Sequence, residues 1–151
     1  MTAMHARVGD SVSFSKTVGE TDVYMFAGIT GDFSQNHVDE MFMSHSMYGH
    51  RIAHGALLIG YMSTASTRMI EQSLAKGIDS TPVSLGYDRI RFIKPVFIND
   101  TVVVTYTIAS IDEERRRTRA EVNVTNQREE IVAVAEHLLK WTHNESARQE
   151  P

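Results

Sequence analysis

GALLIGYMSTASTRMIEQSL, residues 55–74, is the stretch on which the fold turns. At 1.5 Å per residue it makes a helix of roughly 30 Å. Its first half, Ala56 to Met62, is apolar on nearly every face, and a helix with no wet side has to be wrapped by other segments. The chain downstream supplies the wrapping. After Gly77, residues 83–93, 101–111, 118–126 and 130–141 are rich in Val, Ile, Thr, Tyr and Phe and read as strands. Turns of hairpin length stand around Asn99-Asp100, Asp112 to Arg115 and Gln127-Arg128, which predicts antiparallel neighbours. Upstream, SVSFSKTV (residues 11–18) alternates as a short strand. Thr21 is then placed to cap a short helix that keeps Val23, Phe26, Ala27 and Thr30 on one face and stops at Gly31.

An antiparallel sheet of about five strands wrapped round one long buried helix is an α+β packing of the hot-dog type. The composition agrees, since 151 residues with 42% hydrophobic and 23% charged side chains suit one compact domain and are too few for two. No repeat or Pro/Gly/Ser-rich linker divides the chain, so residues 1–151 read as a single domain whose last ~8 residues form a flexible tail. No apolar run is long enough for a transmembrane helix, and MTAMHARVGDSVSF lacks the continuous apolar core of a signal peptide. A cytoplasmic location is therefore expected. The absence of cysteine removes disulfides, thiolate nucleophiles and thiolate zinc sites together. A net charge of -4 gives no global positive field to recruit nucleic acid or an anionic membrane. The one dense basic run, Arg115, Arg116, Arg117 and Arg119, follows Asp112, Glu113 and Glu114 and reads as a solvated hairpin end.

Composition departs most from ordinary core and turn between Asp32 and Arg51, DFSQNHVDEMFMSHSMYGHR, a polar, histidine-rich loop with a helical turn inside. In it Asp32 and His37 stand five residues apart, a spacing that lets a carboxylate and an imidazole face one small volume and hold a single water for proton transfer. The same spacing is compatible with Asp32 capping the next turn and His37 lying in a loop. Arg51-Ile52-Ala53-His54-Gly55 then opens the long helix, where the free N–H of Gly55 at the positive helix end can meet a developing oxyanion or, alternatively, Gly55 serves close packing. On helix propensity alone an alanine at this position leaves folding unharmed. His45, His50 and His54 have spacings a metal site could use, but no carboxylate ladder accompanies them, so neither a metal nor any other cofactor is expected. Met41, Met43, Met47 and Met62 suit adaptable apolar surface, and His137 a hydrogen-bonded core or edge position.

Taken together, GDFSQNHVDE, RIAHG at the start of an apolar helix, and RFIKPVFINDTV in the later strands resemble the MaoC-like dehydratases, and among them the (R)-specific enoyl-CoA hydratases. The resemblance implies a hydratase or dehydratase of trans-2-enoyl-CoA giving (R)-3-hydroxyacyl-CoA. It makes Asp32 and His37 the catalytic pair and Gly55 the donor to the thioester carbonyl. Ser63 supports the aspartate, and His54 is a structural partner to Gly55. Arg89, Arg91 and Lys94 are the implied contacts for CoA phosphates, and a homodimer or higher assembly is the implied quaternary state. Where family members read Asn-Pro, this chain has Ser34-Gln35, so the orienting amide falls to Asn36, Gln35 or the Ser34 hydroxyl. Other outcomes open at this point are a hydratase for branched or dicarboxylic acyl-CoA, a hot-dog thioesterase, and a non-catalytic module for acyl-CoA or acyl carrier protein.

Overall fold

A computed structural model describes residues 6–77 and 79–143, so the expected C-terminal tail lies outside the described residues. The elements run β1 (Ser11–Thr17), α1 (Glu20–Thr30), α2 (Gln35–Val38), α3 (Glu40–Ser44), α4 (Gly55–Leu74), β2 (Ser80–Phe92), β3 (Thr101–Asp112), β4 (Arg117–Thr125) and β5 (Ile131–His143). All five strands belong to one antiparallel sheet in the order β1-β3-β4-β5-β2, and α4 lies across its inner face as the hot-dog architecture requires.

Alternation builds that inner face. Val102, Val104, Tyr106 and Ile108 of β3 and Ala120, Val122 and Val124 of β4 are buried, every second residue in each strand. Against them α4 sets Leu58, Tyr61, Met62, Ala65 and Met69, a stripe at helical spacing. Burial of each large side chain is worth about 1.5–3 kcal/mol, and this stripe fixes how α4 sits on the sheet.

Four expectations are corrected. The start of α4 is not wrapped all round: Ala56, Gly60, Ser63 and Thr67 form an exposed row of small residues on the side away from the sheet. Helix α1 is capped by Gly19 rather than Thr21, because the Asp22 carboxylate accepts the Gly19 N–H at 2.8 Å. Thr30 is exposed, leaving Val23 and Ala27 to carry the buried face, while Gly31 stops the helix as expected with φ 82. Finally, β2 and β3 do not form a hairpin. β2 pairs with β5 from Ser80↔His143 to Phe92↔Ala133, and the chain crosses to β3 through residues 93–100, a segment containing Pro95 and the positive-φ residue Asn99. The other two predicted hairpins form, β3 with β4 and β4 with β5. At the first, Arg115 turns back on Asp112 at 3.5 Å, the solvated end expected of that charge run. Among the described residues no helix is long and apolar enough to cross a membrane.

Candidate active site

The polar loop between α1 and α4 folds back over the N-terminus of α4, and three contacts hold it there. The Ile52 N–H donates to the Asn36 carbonyl at 3.0 Å. His37 Nδ1 donates to the Ile52 carbonyl at 2.7 Å, and His54 Nε2 donates to the Asp32 carbonyl at 2.9 Å. Since a carbonyl only accepts, the Ile52 contact places a proton on His37 Nδ1, so that in the neutral ring the lone pair is on Nε2. Beneath it the rings of His37 and His54 stack with centroids 3.7 Å apart at 29°.

Asp32 has a side chain 52% exposed, whereas His54 is 2% exposed. One ligand atom each from Asp32, His37 and His54 lies within 4.8 Å of the others. Two hydrogen bonds of ordinary length meeting at a tetrahedral oxygen span about 4.6 Å, so separations up to that limit are within reach of one bridging water. His37 and Gly55 line the same cleft, about 270 Å³, with Tyr48, Leu58, Phe92 and Lys94 among its walls. As the first residue of α4, Gly55 has an N–H without an intrahelical acceptor. Its α-carbon lies directly under the Phe92 ring, and a β-carbon there would come within 2.7 Å of two ring carbons. Helix propensity therefore does not describe this position, since an alanine forces the half-exposed Phe92 ring to move.

Arg51 is the brace of the loop. Its guanidinium pairs with Glu20 on α1 and with Glu40 on α3, the latter at 3.1 Å, and lies over the Tyr24 ring. The hydrogen bond to Glu20 raises its pKa. Glu40 is held down at about 2 by the hydrogen bond from His50 and then by the Arg51 N–H. The residues concerned lie 11 and 31 positions apart in sequence, so no local pattern marks them.

The sequence-derived candidates are thus partly assembled. Asp32, His37, His54 and Gly55 converge. Asn36 contributes through its backbone carbonyl rather than its amide. Ser63 lies about 12 Å along α4 from Gly55, exposed and close to Tyr87 of β2. Lys94 lines the cleft while paired with Glu130 at 2.7 Å, and Arg91 follows the strand beside Phe92 with Nη1 on the Ile90 carbonyl. Arg89 is turned away, bound to Glu136 at 3.0 Å in a separate depression lined by Glu121 and Asn123. The histidines weighed as a metal set stay apart, with His45 on the Met41 carbonyl and His50 on Glu40. Of the methionines, Met43 and Met62 are core while Met41 and Met47 are exposed.

Known proteins resemble this chain in sequence and in fold. The chain matches the family described as "MaoC like domain" over residues 4–132. It is 32% identical to an (R)-specific enoyl-CoA hydratase of Rhodospirillum rubrum over 72% of this chain and 69% of that protein. It is also 32% identical to a 3-hydroxybutyryl-CoA dehydratase of Methylorubrum extorquens over 93% and 83%. The solved (R)-hydratase from A. caviae involved in PHA biosynthesis superposes with a TM-score of 0.78 at 26% identity, covering 91% of this chain and 98% of that one. A hot-dog-like protein from Thermanaerovibrio acidaminovorans, 13% identical with a TM-score of 0.64 over 91% and 84% of the two chains, shares the fold.

Proposed function

The chain belongs to the MaoC-like hydratase and dehydratase family, a group of hydro-lyases, and on that premise we propose that it adds water to a trans-2-enoyl-CoA to give the (R)-3-hydroxyacyl-CoA, or runs the reverse dehydration. The observation that carries this reading is that the Asp32 carboxylate lies within 4.8 Å of a ring nitrogen of His37, while His37 and Gly55 line one cleft. Hydration of a conjugated thioester needs those three things. A water is held between Asp32 and His37, and its oxygen bonds to C3 as a proton leaves it for the pair. The C2–C3 π electrons move toward the carbonyl, whose oxygen gains charge opposite the Gly55 N–H at the positive end of α4. The pair then returns one proton to C2, so one water is consumed and the protein ends as it began. Delivery of both fragments from one water on one face gives syn addition. No metal or other cofactor enters this scheme.

Lys94, which lines the cleft, and Arg91, next to the cleft residue Phe92, are proposed to meet CoA phosphates, Lys94 exchanging its Glu130 partner to do so; Arg89 is set aside because it lies in a separate depression. The whole chain is read as one cytoplasmic domain that pairs with a second copy. β2 is an open sheet edge carrying exposed Val83 and Leu85, an arrangement that invites strand pairing.

The test is a spectrophotometric assay of purified protein against short, medium, branched and dicarboxylic enoyl-CoAs. Loss of the enoyl absorbance with formation of the (R)-alcohol supports the reading, and the best substrate sets its class. Release of free CoA without hydration would assign a thioesterase, and binding without turnover a non-catalytic module.

A further inference from the structure

The proposed catalytic parts sit on three separate segments: Asp32 follows α1, His37 is on α2, and Gly55 opens α4. One side chain touches the first two and is covalently next to the third. We propose that His54 is the positioning residue of this site, a buried imidazole that registers Asp32, His37 and Gly55 against one another and supports the charge that His37 takes on; the proposal rests on the catalytic assignment above.

The geometry is specific. His54 is 2% exposed, and its extended backbone, φ -60 and ψ 130, makes it the N-cap of α4. Its Nε2–H goes to the Asp32 carbonyl, which sets where the aspartate backbone stands. Its ring lies under His37 at 3.7 Å, and the Phe26 ring packs on it at 4.8 Å, so it cannot rotate without displacing a neighbour. His37 is thereby fixed twice, at its edge by the Ile52 carbonyl and over its face by His54, with Nε2 left as the free nitrogen. Among the described residues the His54 Nδ1 is buried without a hydrogen-bond partner, so a proton there would be an unpaired buried donor beside the positive end of α4. The ring offers His37 its π face. When His37 takes the water proton on Nε2, the resulting imidazolium lies on that surface and is attracted by it. The attraction exists only after proton transfer, so it belongs to the transition state rather than to binding.

Three substitutions separate the two contacts. His54→Phe keeps a ring under His37 and loses the donor, His54→Gln keeps a donor and loses the ring, and His54→Ala loses both. Misplacement of a catalytic group by about 1 Å costs on the order of 10²-fold, so His54→Ala is expected to lower kcat by about that factor with KM within about threefold. The Phe and Gln variants should fall between it and wild type, and they carry the test if the Ala variant does not fold. In a His37→Ala background, adding His54→Ala should cost less than about threefold more, because the second residue acts through the first. A multiplied loss there, or retention of most of kcat by all three variants, overturns the proposal. A second arm needs no activity: ¹⁵N NMR of the free protein should show His37 as the Nδ1–H tautomer, with mixed tautomers once His54 is Ala or Gln. An unchanged His37 signal in both refutes the positioning role. If wild type hydrates no enoyl-CoA while the tautomer still shifts, the positioning role stands and the functional reading fails.

Discussion

Two imidazole clusters lean on the same helix, and they are built to opposite specifications. At the start of α4, His37 and His54 stack beside an exposed aspartate, with His37 Nε2 uncommitted and a cleft in front of it. Further along the same helix, His137 is 1% exposed and uses both nitrogens, Nε2 with the Ser84 hydroxyl at 2.8 Å and Nδ1 with the Tyr106 hydroxyl at 2.9 Å. Tyr87 stacks on it at 4.3 Å, and Ser66 on α4 hydrogen-bonds Tyr106. Burial pushes His137 down to about 4 and raises the Tyr106 phenol above its ordinary value. A polar network that satisfies itself specifies a core. One left open at a cleft, with a carboxylate beside it, has groups to spend on a substrate. Histidine content alone does not tell the two apart.

The largest expected effect sits at the open cluster. Asp32→Asn and His37→Ala should each cut hydration by on the order of 10² to 10⁴, with melting temperatures near wild type. His137→Asn should keep its activity per folded molecule. Should the His137 variant lose turnover at unchanged stability, the division between a catalytic and a structural cluster breaks down.

Next in size is the acid response of the closed cluster. Unfolded histidine titrates near 6.5 and folded His137 at about 4, so the unfolded chain binds the extra proton between those values. Stability is full above pH 6.5 and falls as pH drops toward 4, by on the order of 3 kcal/mol. Glu40 and Glu130, both held near 2 where the ordinary value is 4.5, add their losses only below pH 4.5. Urea midpoints measured between pH 6.5 and 4.5 should therefore slope in wild type and flatten in His137→Asn. Equal slopes would mean that His137 is not the group being titrated.

Gly55→Ala sharpens the open side. A β-carbon would displace the Phe92 ring, which on the proposed reading borders the approach of the thioester. Hydration should fall at least tenfold, about 1.4 kcal/mol of transition-state stabilisation, with a small drop in melting temperature. Adding Phe92→Ala should recover the melting temperature but not the rate. Recovery of both would make Gly55 a packing glycine.

The smallest effect tests the loop itself. Ser34 is extended, with φ -55 and ψ 138, and Gln35 is the first residue of α2, the backbone setting that proline accepts. Gln35→Pro should stabilise the chain by about 0.4–1 kcal/mol through the unfolded state, read as a raised urea midpoint with kcat within twofold. Destabilisation would show that the Ser34-Gln35 pair holds the loop in a way proline cannot copy.

Much of this was legible beforehand because it is local. The span of α4, its bounds at Gly55 and Leu74, the alternation of β3 and β4 and the stop at Gly31 follow from periodicity and backbone preference within a few residues. The motif resemblance likewise picked out Asp32, His37, His54 and Gly55, since their spacing survives in a single chain of residues.

What the sequence left undetermined is non-local. β2 pairs with β5 instead of its neighbour in sequence, because an edge place in the sheet is chosen by where α4 and the other strands already lie. Along β2 the register shifts between Ser84 and Gly86 and again between Asp88 and Arg91, where Gly86 has φ 135 and Arg89 φ 52. Each irregularity disturbs which residues face inward, so Tyr87 reaches the helix side together with Ser84 and Phe92 although it is out of phase with both in a period-2 pattern. The same reason hid the approach of Ser63 to Tyr87 and the Arg51 brace. Amino-acid order set which segments would be helix or strand and where the reactive groups stood along them. Which groups met was decided by the folded sheet, whose bulges and pairings obey the packing of the whole core rather than any short stretch of chain.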